Sequence, residues 1–291
     1  MIRIRMKAKT LIVLSLITLL IASCSNSRNP KLIVKLVVDE TQDRLGNNGM
    51  PVSMPLGNAG QSPSFNSISA HYLELSQSAN KQLGEGSILY HAPETTKGGE
   101  NAIDFRRAEI VAPGEIWLEI PLSSLDTGTY NWVRLSLSYQ NYDIVFHYND
   151  QPYSATFASF VGFKQYIKDF EIDGALIEVN ENKKQGFWAF NSIGGLRTGQ
   201  TPEGGTTVPN PLSTTSPIPA GSCVVTGNFN GPLVIHGDES EDLTITLSLS
   251  TNNSFEWLDQ NNNGKWDVGQ GLEENVVDMG LRGLRPDYSW Q

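Results

Sequence analysis

The stretch Asp259-Gln-Asn-Asn-Asn-Gly-Lys-Trp-Asp267 sets oxygen-bearing side chains at alternating positions around a single glycine. Asp259, Asn261, Asn263 and Asp267 each carry a carboxylate or amide oxygen, and in a tight curl the alternation turns all four inward. Gly264 permits the sharp turn, and the Lys265 carbonyl supplies a further oxygen. A ligand set made only of oxygen suits a hard cation, which points to calcium rather than to zinc or copper. Two certain carboxylates predict a modest affinity, with Kd roughly 10⁻⁴–10⁻³ M. Gln270 stands at the twelfth position, where such loops carry a bidentate Glu, and Glu273 and Glu274 follow as candidate additional ligands.

The spacing matches the first part of an EF-hand-type loop, D-x-[DN]-x-[DN]-G-x-x-D. Its flanks differ: SFEWLD before it is strand-like and VGQGLEE after it is loop-like, so the EF helices are not expected. In that setting the loop resembles those of dockerins and thrombospondin type 3 repeats. The resemblance implies a structural calcium that orders the C-terminal end.

No other motif carries chemistry of comparable specificity. The HExxH, GxSxG, Walker and GxGxxG patterns are missing from the sequence, and the carboxylates of HGDESEDL (236–243) read as a solvated turn. The expectation is therefore a non-enzymatic protein. His71, His91, His147 and His236 are scattered without a short His–His spacing and read as structural histidines. His71 and His147 both fall on expected strands, whose pairing could juxtapose them. Met50 and Met54 in MPVSMP are a candidate soft pair for Cu(I), weighed against chance placement in a loop.

At the other end the chain begins MIRIRMKAKTLIVLSLITLLIASC. Arg3, Arg5, Lys7 and Lys9 precede an apolar run, Leu11 to Ala22, of about a dozen residues, short of the roughly 20 that a spanning helix needs. This reads as a secretory signal over residues 1–23. Its end, Ile21-Ala22-Ser23-Cys24, resembles the lipobox of bacterial lipoproteins, which implies cleavage before Cys24 and acylation of that residue. The partner implied is a membrane, reached through the lipid on Cys24 and a tether over residues 24–30. The residues after Cys24 lack the acidic run that resembles a surface-export signal in Bacteroidota lipoproteins. Ser25 is also not the Asp that retains lipoproteins at the enterobacterial inner membrane. The expected location is the outer membrane, with the periplasmic face favoured over the cell surface. With Cys24 acylated, Cys223 has no disulfide partner, and AGSCVVTGNF places it at the start of an apolar strand.

The chain of 291 residues carries 21 Lys and Arg against 31 Asp and Glu, a net charge of −10, and loss of the leader removes four of the basic residues. Such a surface repels the nucleic-acid backbone, so no nucleic-acid partner is expected. A protein or glycan partner stays open. For the glycan reading the candidate platforms are Trp117, Trp132, Trp188, Trp257, Trp266 and Trp290, with Trp266 the most exposed by its place in the loop.

The elements that must position these residues are strands. Residues 31–39, 68–76, 115–122, 130–139, 142–148, 185–192 and 243–250 alternate apolar with polar side chains and are rich in β-branched and aromatic types. In LTITLSLS the Leu and Ile side chains share one face and the Thr and Ser side chains the other, which predicts a sheet with one wet face. YIKDFEIDGALIEV reads as a hairpin about Asp173-Gly174. The fold class expected is all-β, a β-sandwich of immunoglobulin or jelly-roll type with roughly a dozen strands over 31–291 and the calcium loop appended. RTGQTPEGGTTVPNPLSTTSPIPA (197–220) is either a subdomain boundary or a long loop. The order of KLIVKLVVD, a polar loop, ISAHYLELS, DTGTYNWVRLSLSY, QGFWAF and LTITLSLS is similar to that of MbnP-like secreted β-sandwich proteins, a family linked to copper. That resemblance implies copper handling as an alternative function, with His71 and Trp188 as counterparts of the family's metal-site residues.

Overall fold

The alternating Leu and Val of KLIVKLVVD form β1 (Lys31–Asp39), and LTITLSLS forms β16 (Leu243–Ser250), at the bounds the alternation predicts. The two pair in parallel, with Leu32, Val34, Leu36 and Val38 level with Leu243, Ile245, Leu247 and Leu249. A parallel pair cannot be closed by a hairpin and needs a crossover; here it is the intervening chain. The four apolar side chains of β16 have no exposed surface, and each contributes about 1.5–3 kcal/mol by leaving water. The opposite face of β16 is less wet than expected. Ser250 is buried and its hydroxyl donates to the Asp43 carbonyl at 2.8 Å, while Ser248 accepts from Gln42.

This computed structural model describes residues 29–201, 223–269 and 271–291. The signal, Cys24, most of the 24–30 tether, residues 202–222 and Gln270 lie outside them. Nineteen strands, numbered in chain order, form four sheets among the described residues. The first runs β19 (Leu284–Trp290), β16, β1, β8 (Ile116–Pro121). The largest runs β14 (Gly195–Gln200), β13 (Phe187–Ser192), β10 (Gln151–Phe160), β9 (Gly128–Tyr148), β3 (Ser64–Ser76), β4 (Ser87–His91). Within it β15 (Cys223–Ile235) also pairs with β9, and β7 (Ile110–Val111) with β3. The third runs β12 (Ala175–Lys183), β11 (Gln165–Ile172), β6 (Ala102–Asp104), β5 (Glu94–Thr95); the fourth runs β18 (Val276–Met279), β17 (Phe255–Leu258), β2 (Asn58–Gln61). The fold is all-β, with packed sheets in a β-sandwich. Its strands outnumber the expected dozen because several, such as β5 and β7, have only two residues. No helix among the described residues is long and apolar enough to cross a membrane.

The 21-residue β9 organises the molecule, and it is one strand where two were expected. One edge pairs with β3; the other pairs with β15 along its first half and with β10 along its second. Its polar centre, Gln140 and Asn141, is buried, and the side-chain oxygen of each accepts a hydrogen bond. Gln140 Oε1 accepts the Leu281 N–H at 3.2 Å, and Asn141 Oδ1 accepts from Asn66 Nδ2 at 3.0 Å. The first half of β9 shares an aliphatic core with β1 and β16. The second half shares an aromatic one: Tyr142, Phe146, Phe157, Phe255, Trp257 and Trp266. The expected hairpin at Asp173-Gly174 is present, joining β11 to β12 with Ile172 opposite Ala175. Both turn residues have positive φ, 48° and 72°, as a two-residue turn of this hand requires.

Candidate functional site

The stretch 259–267 connects β17 to β18, strands that pair through Phe255–Met279 and Trp257–Val276. Its backbone is curled by the side chains themselves. Asp259 Oδ1 accepts the Asn263 N–H at 3.1 Å and Oδ2 accepts the Gly264 N–H at 2.8 Å. Asn261 Oδ1 accepts the Asn263 N–H at 3.1 Å, and Asn263 Oδ1 accepts the Lys265 N–H at 2.7 Å. Gly264 has φ 70° with open space where a Cβ would be, so its requirement is conformational. The amides of Asn261 and Asn263 both donate to Asp267 Oδ2, at 2.9 and 2.8 Å. Thus Asp259, Asn261, Asn263 and Asp267 are joined in one hydrogen-bonded curl. An amide turned over about its last torsion presents oxygen where it now presents nitrogen, so the same curl can meet a cation with oxygen.

Two further contacts fix the curl to the body of the protein. Glu274, buried, accepts the Gln260 N–H on Oε1 at 2.8 Å and the Asp267 N–H on Oε2 at 2.9 Å. Its neighbour Glu273 is exposed. The return limb also pairs with the end of β9: His147 donates its N–H to the Trp266 carbonyl at 2.7 Å and accepts that of Val268 at 2.9 Å. His147 is therefore a backbone partner of the loop, and the strands do not bring it to His71.

Trp266 is not exposed, contrary to the sequence reading. Only 7% of its surface is accessible, because its ring packs against Phe255, Phe157, Phe190 and Phe146 at centroid distances of 5.0–6.4 Å. Its Nε1–H donates to the Glu274 carbonyl at 3.1 Å, which satisfies the indole. Trp117 and Trp257 are buried as well. Beside Trp266 opens a cleft of about 870 Å³, walled by Tyr148, Tyr153, Trp188 and Phe190 on one side and by Val268 and Glu273 of the loop region on the other. Arg197 is the cationic side chain of its lining. The curl and the cleft thus share a wall.

A second cluster was not legible as a group in the sequence. β3 and β4 pair with Tyr72 level with His91, and the Ala92 N–H donates to the His71 carbonyl at 2.7 Å. This register brings His71, His91 and Glu94 together, with one ligand atom from each within 4.8 Å of the others. His71 Nε2 lies 3.2 Å from Glu94 Oε1, and His91 Nε2 lies 3.7 Å from the same oxygen. Burial holds the His71 imidazole below its usual range, against the opposing hydrogen bond to Glu94. That hydrogen bond, in turn, is the main reason the Glu94 carboxyl lies below the ordinary carboxylate range. The local signal was the three-residue step from His91 to Glu94; the approach of His71 depends on strand register alone. Trp188 sits apart, in the aromatic cluster against Phe157. Met50 is exposed and Met54 lies over Gly60.

Cys223 opens β15, half-buried, and burial pushes its thiol up to about 12. No protein-family model, no curated protein and no solved structure matches the chain.

Proposed function

We propose that this is a lipid-anchored cell-envelope protein, held through Cys24 at the outer membrane with its domain on the periplasmic side, and that it binds a ligand rather than transforming one. In this reading calcium joins Asp259, Asn261, Asn263, Asp267 and the Lys265 carbonyl and stiffens one wall of the aromatic cleft. The observation that carries it is the shared wall: the oxygen-rich curl is welded to β9 through His147, and its Trp266 is part of the aromatic packing beside the cleft. Large apolar clefts with a few polar groups are where small ligands bind. Ordering such a wall beforehand lowers the entropy cost of binding.

The test is calorimetry and thermal melting of the chain from residue 25 onward, before and after chelation. One calcium should bind with Kd roughly 10⁻⁴–10⁻³ M. At a calcium concentration ten times Kd the fold gains about 1.4 kcal/mol, which raises Tm by a few degrees at this chain length. Asp259→Ala should abolish most of that gain while the strands still fold. Absence of calcium uptake, with a melting curve indifferent to chelator, would reduce the curl to an Asn/Gly turn.

A further inference from the structure

We propose that His71, His91 and Glu94 form a binding site for one borderline divalent metal ion, of which zinc(II) is the type. The three ligand atoms come from three strands fixed by backbone pairing: His71 from the middle of β3, His91 from the last residue of β4, Glu94 from the first of β5. Around a four-coordinate ion with bonds of about 2.0–2.2 Å, ligand atoms stand roughly 3.3–3.6 Å apart. The two separations to Glu94 Oε1, 3.2 and 3.7 Å, already match that geometry. The remaining adjustment falls to His91, whose side chain is 36% exposed. That exposure also leaves a side open for a fourth ligand.

A lone structural histidine does not account for the cluster. His71 has no accessible surface, and its Nε2 is turned to the Glu94 carboxylate at 3.2 Å. A second imidazole is held with its ring centroid 4.8 Å from the first, both aimed at one carboxylate oxygen, and Phe163 stacks on His71 at 6.1 Å. Glu94 Oε2 accepts from Asn101 Nδ2, which orients the carboxylate as partners outside the ligand set commonly do. Two imidazoles and one carboxylate suit zinc(II) or copper(II); Cu(I) prefers sulfur, and calcium prefers oxygen alone.

The proposal is independent of the calcium loop, and its test separates the two. Chelator-stripped protein is titrated with zinc(II), with copper(II) and with calcium, and cobalt(II) is used as an absorbing probe of coordination. One equivalent of zinc should bind, copper(II) should compete more tightly, and calcium should not compete. His91→Ala and Glu94→Gln should each weaken zinc by about a hundredfold or more, since losing even a supporting partner costs 10–100-fold. Asp259→Ala should leave zinc binding unchanged. His91 is partly exposed and Glu94→Gln keeps the side-chain shape, so a folding failure in one variant leaves the other readable. No uptake of zinc or copper(II), or uptake that survives both substitutions, overturns the site.

Discussion

Glu274 Oε2 accepts the Asp267 N–H at 2.9 Å while Oε1 accepts the Gln260 N–H at 2.8 Å, so one buried carboxylate clips the two limbs of the cation curl together. The clip sits outside the alternating ligand pattern, and it shapes the curl through the backbone. Glu274→Gln puts an amide NH₂ against one of these N–H groups and leaves it unpaired, at a cost of about 1–3 kcal/mol. Amide exchange at Gln260 and Asp267 should accelerate, and calcium affinity should fall with it. Glu273→Gln, at an exposed side chain, should stay within about 0.5 kcal/mol of wild type. Equal effects from the two substitutions would remove the clip from the account.

The pair Glu74–Arg134 makes the stronger structural demand. Glu74 has no exposed surface, and its carboxylate accepts from Tyr72 Oη and Gly84 N–H, each at 2.7 Å, from Gly86 N–H at 3.1 Å and from Arg134 Nη1 at 3.2 Å. Arg134 then donates to the carbonyls of Gln82 and Ala79, tying the β3–β4 connection down. Removing one partner of a buried pair strands the other charge, so Arg134→Met should cost about 3–5 kcal/mol in chemical denaturation. Replacing both, Glu74→Leu with Arg134→Met, should cost less than the two single changes added. Gly86→Ala should also destabilise, because a Cβ there would lie 2.2 Å from the Leu75 carbonyl oxygen. Strict additivity of the pair would mean that the two side chains act independently.

What the sequence made legible follows from the range of each signal. β1 and β16 were readable to the residue because Leu and Val at every second position report a buried face directly. The break expected at Gln140-Asn141 did not occur, since two polar side chains can continue a buried strand once Leu281 and Asn66 engage them. The curl at 259–267 was legible because its hydrogen bonds are local. Trp266 was misjudged because the aromatic faces that cover it come from β9, β10, β13 and β17, none of which a loop motif predicts. The His71–His91–Glu94 group was illegible for the same reason: strand register, not spacing, puts His71 beside the other two.

Cys223 should be slow to react despite being half-buried. With its thiol pushed up to about 12, first by burial and then by the Asp278 charge, little thiolate forms at neutral pH. A maleimide should label the folded chain slowly, and denaturant should raise the rate to that of an unfolded peptide. Fast labelling of folded protein would instead mark Cys223 as an activated thiol.

Asp278, on β18, the strand that follows the cation curl, makes the fold sensitive to pH in a direction opposite to most carboxylates. Burial pushes its carboxyl up from 3.8 to about 6; Glu256 acts in the same sense, and Arg282, 2.8 Å away, together with Arg44 acts against it. Because the folded state holds this proton more tightly than the unfolded chain, the stabilisation is fully present below the unfolded value near 3.8. It is lost as pH rises through the folded value near 6. Asp278→Asn keeps the shape and cannot ionise, so it should escape that loss. Its bond with Arg282, a side chain 37% exposed, contributes little to the comparison. Urea denaturation should therefore show the variant gaining on wild type between pH 4 and pH 7, on the order of 1.4 kcal/mol for each unit by which the carboxyl is displaced. Parallel stability curves for the two proteins across that interval would show that Asp278 ionises in the fold as freely as in the unfolded chain.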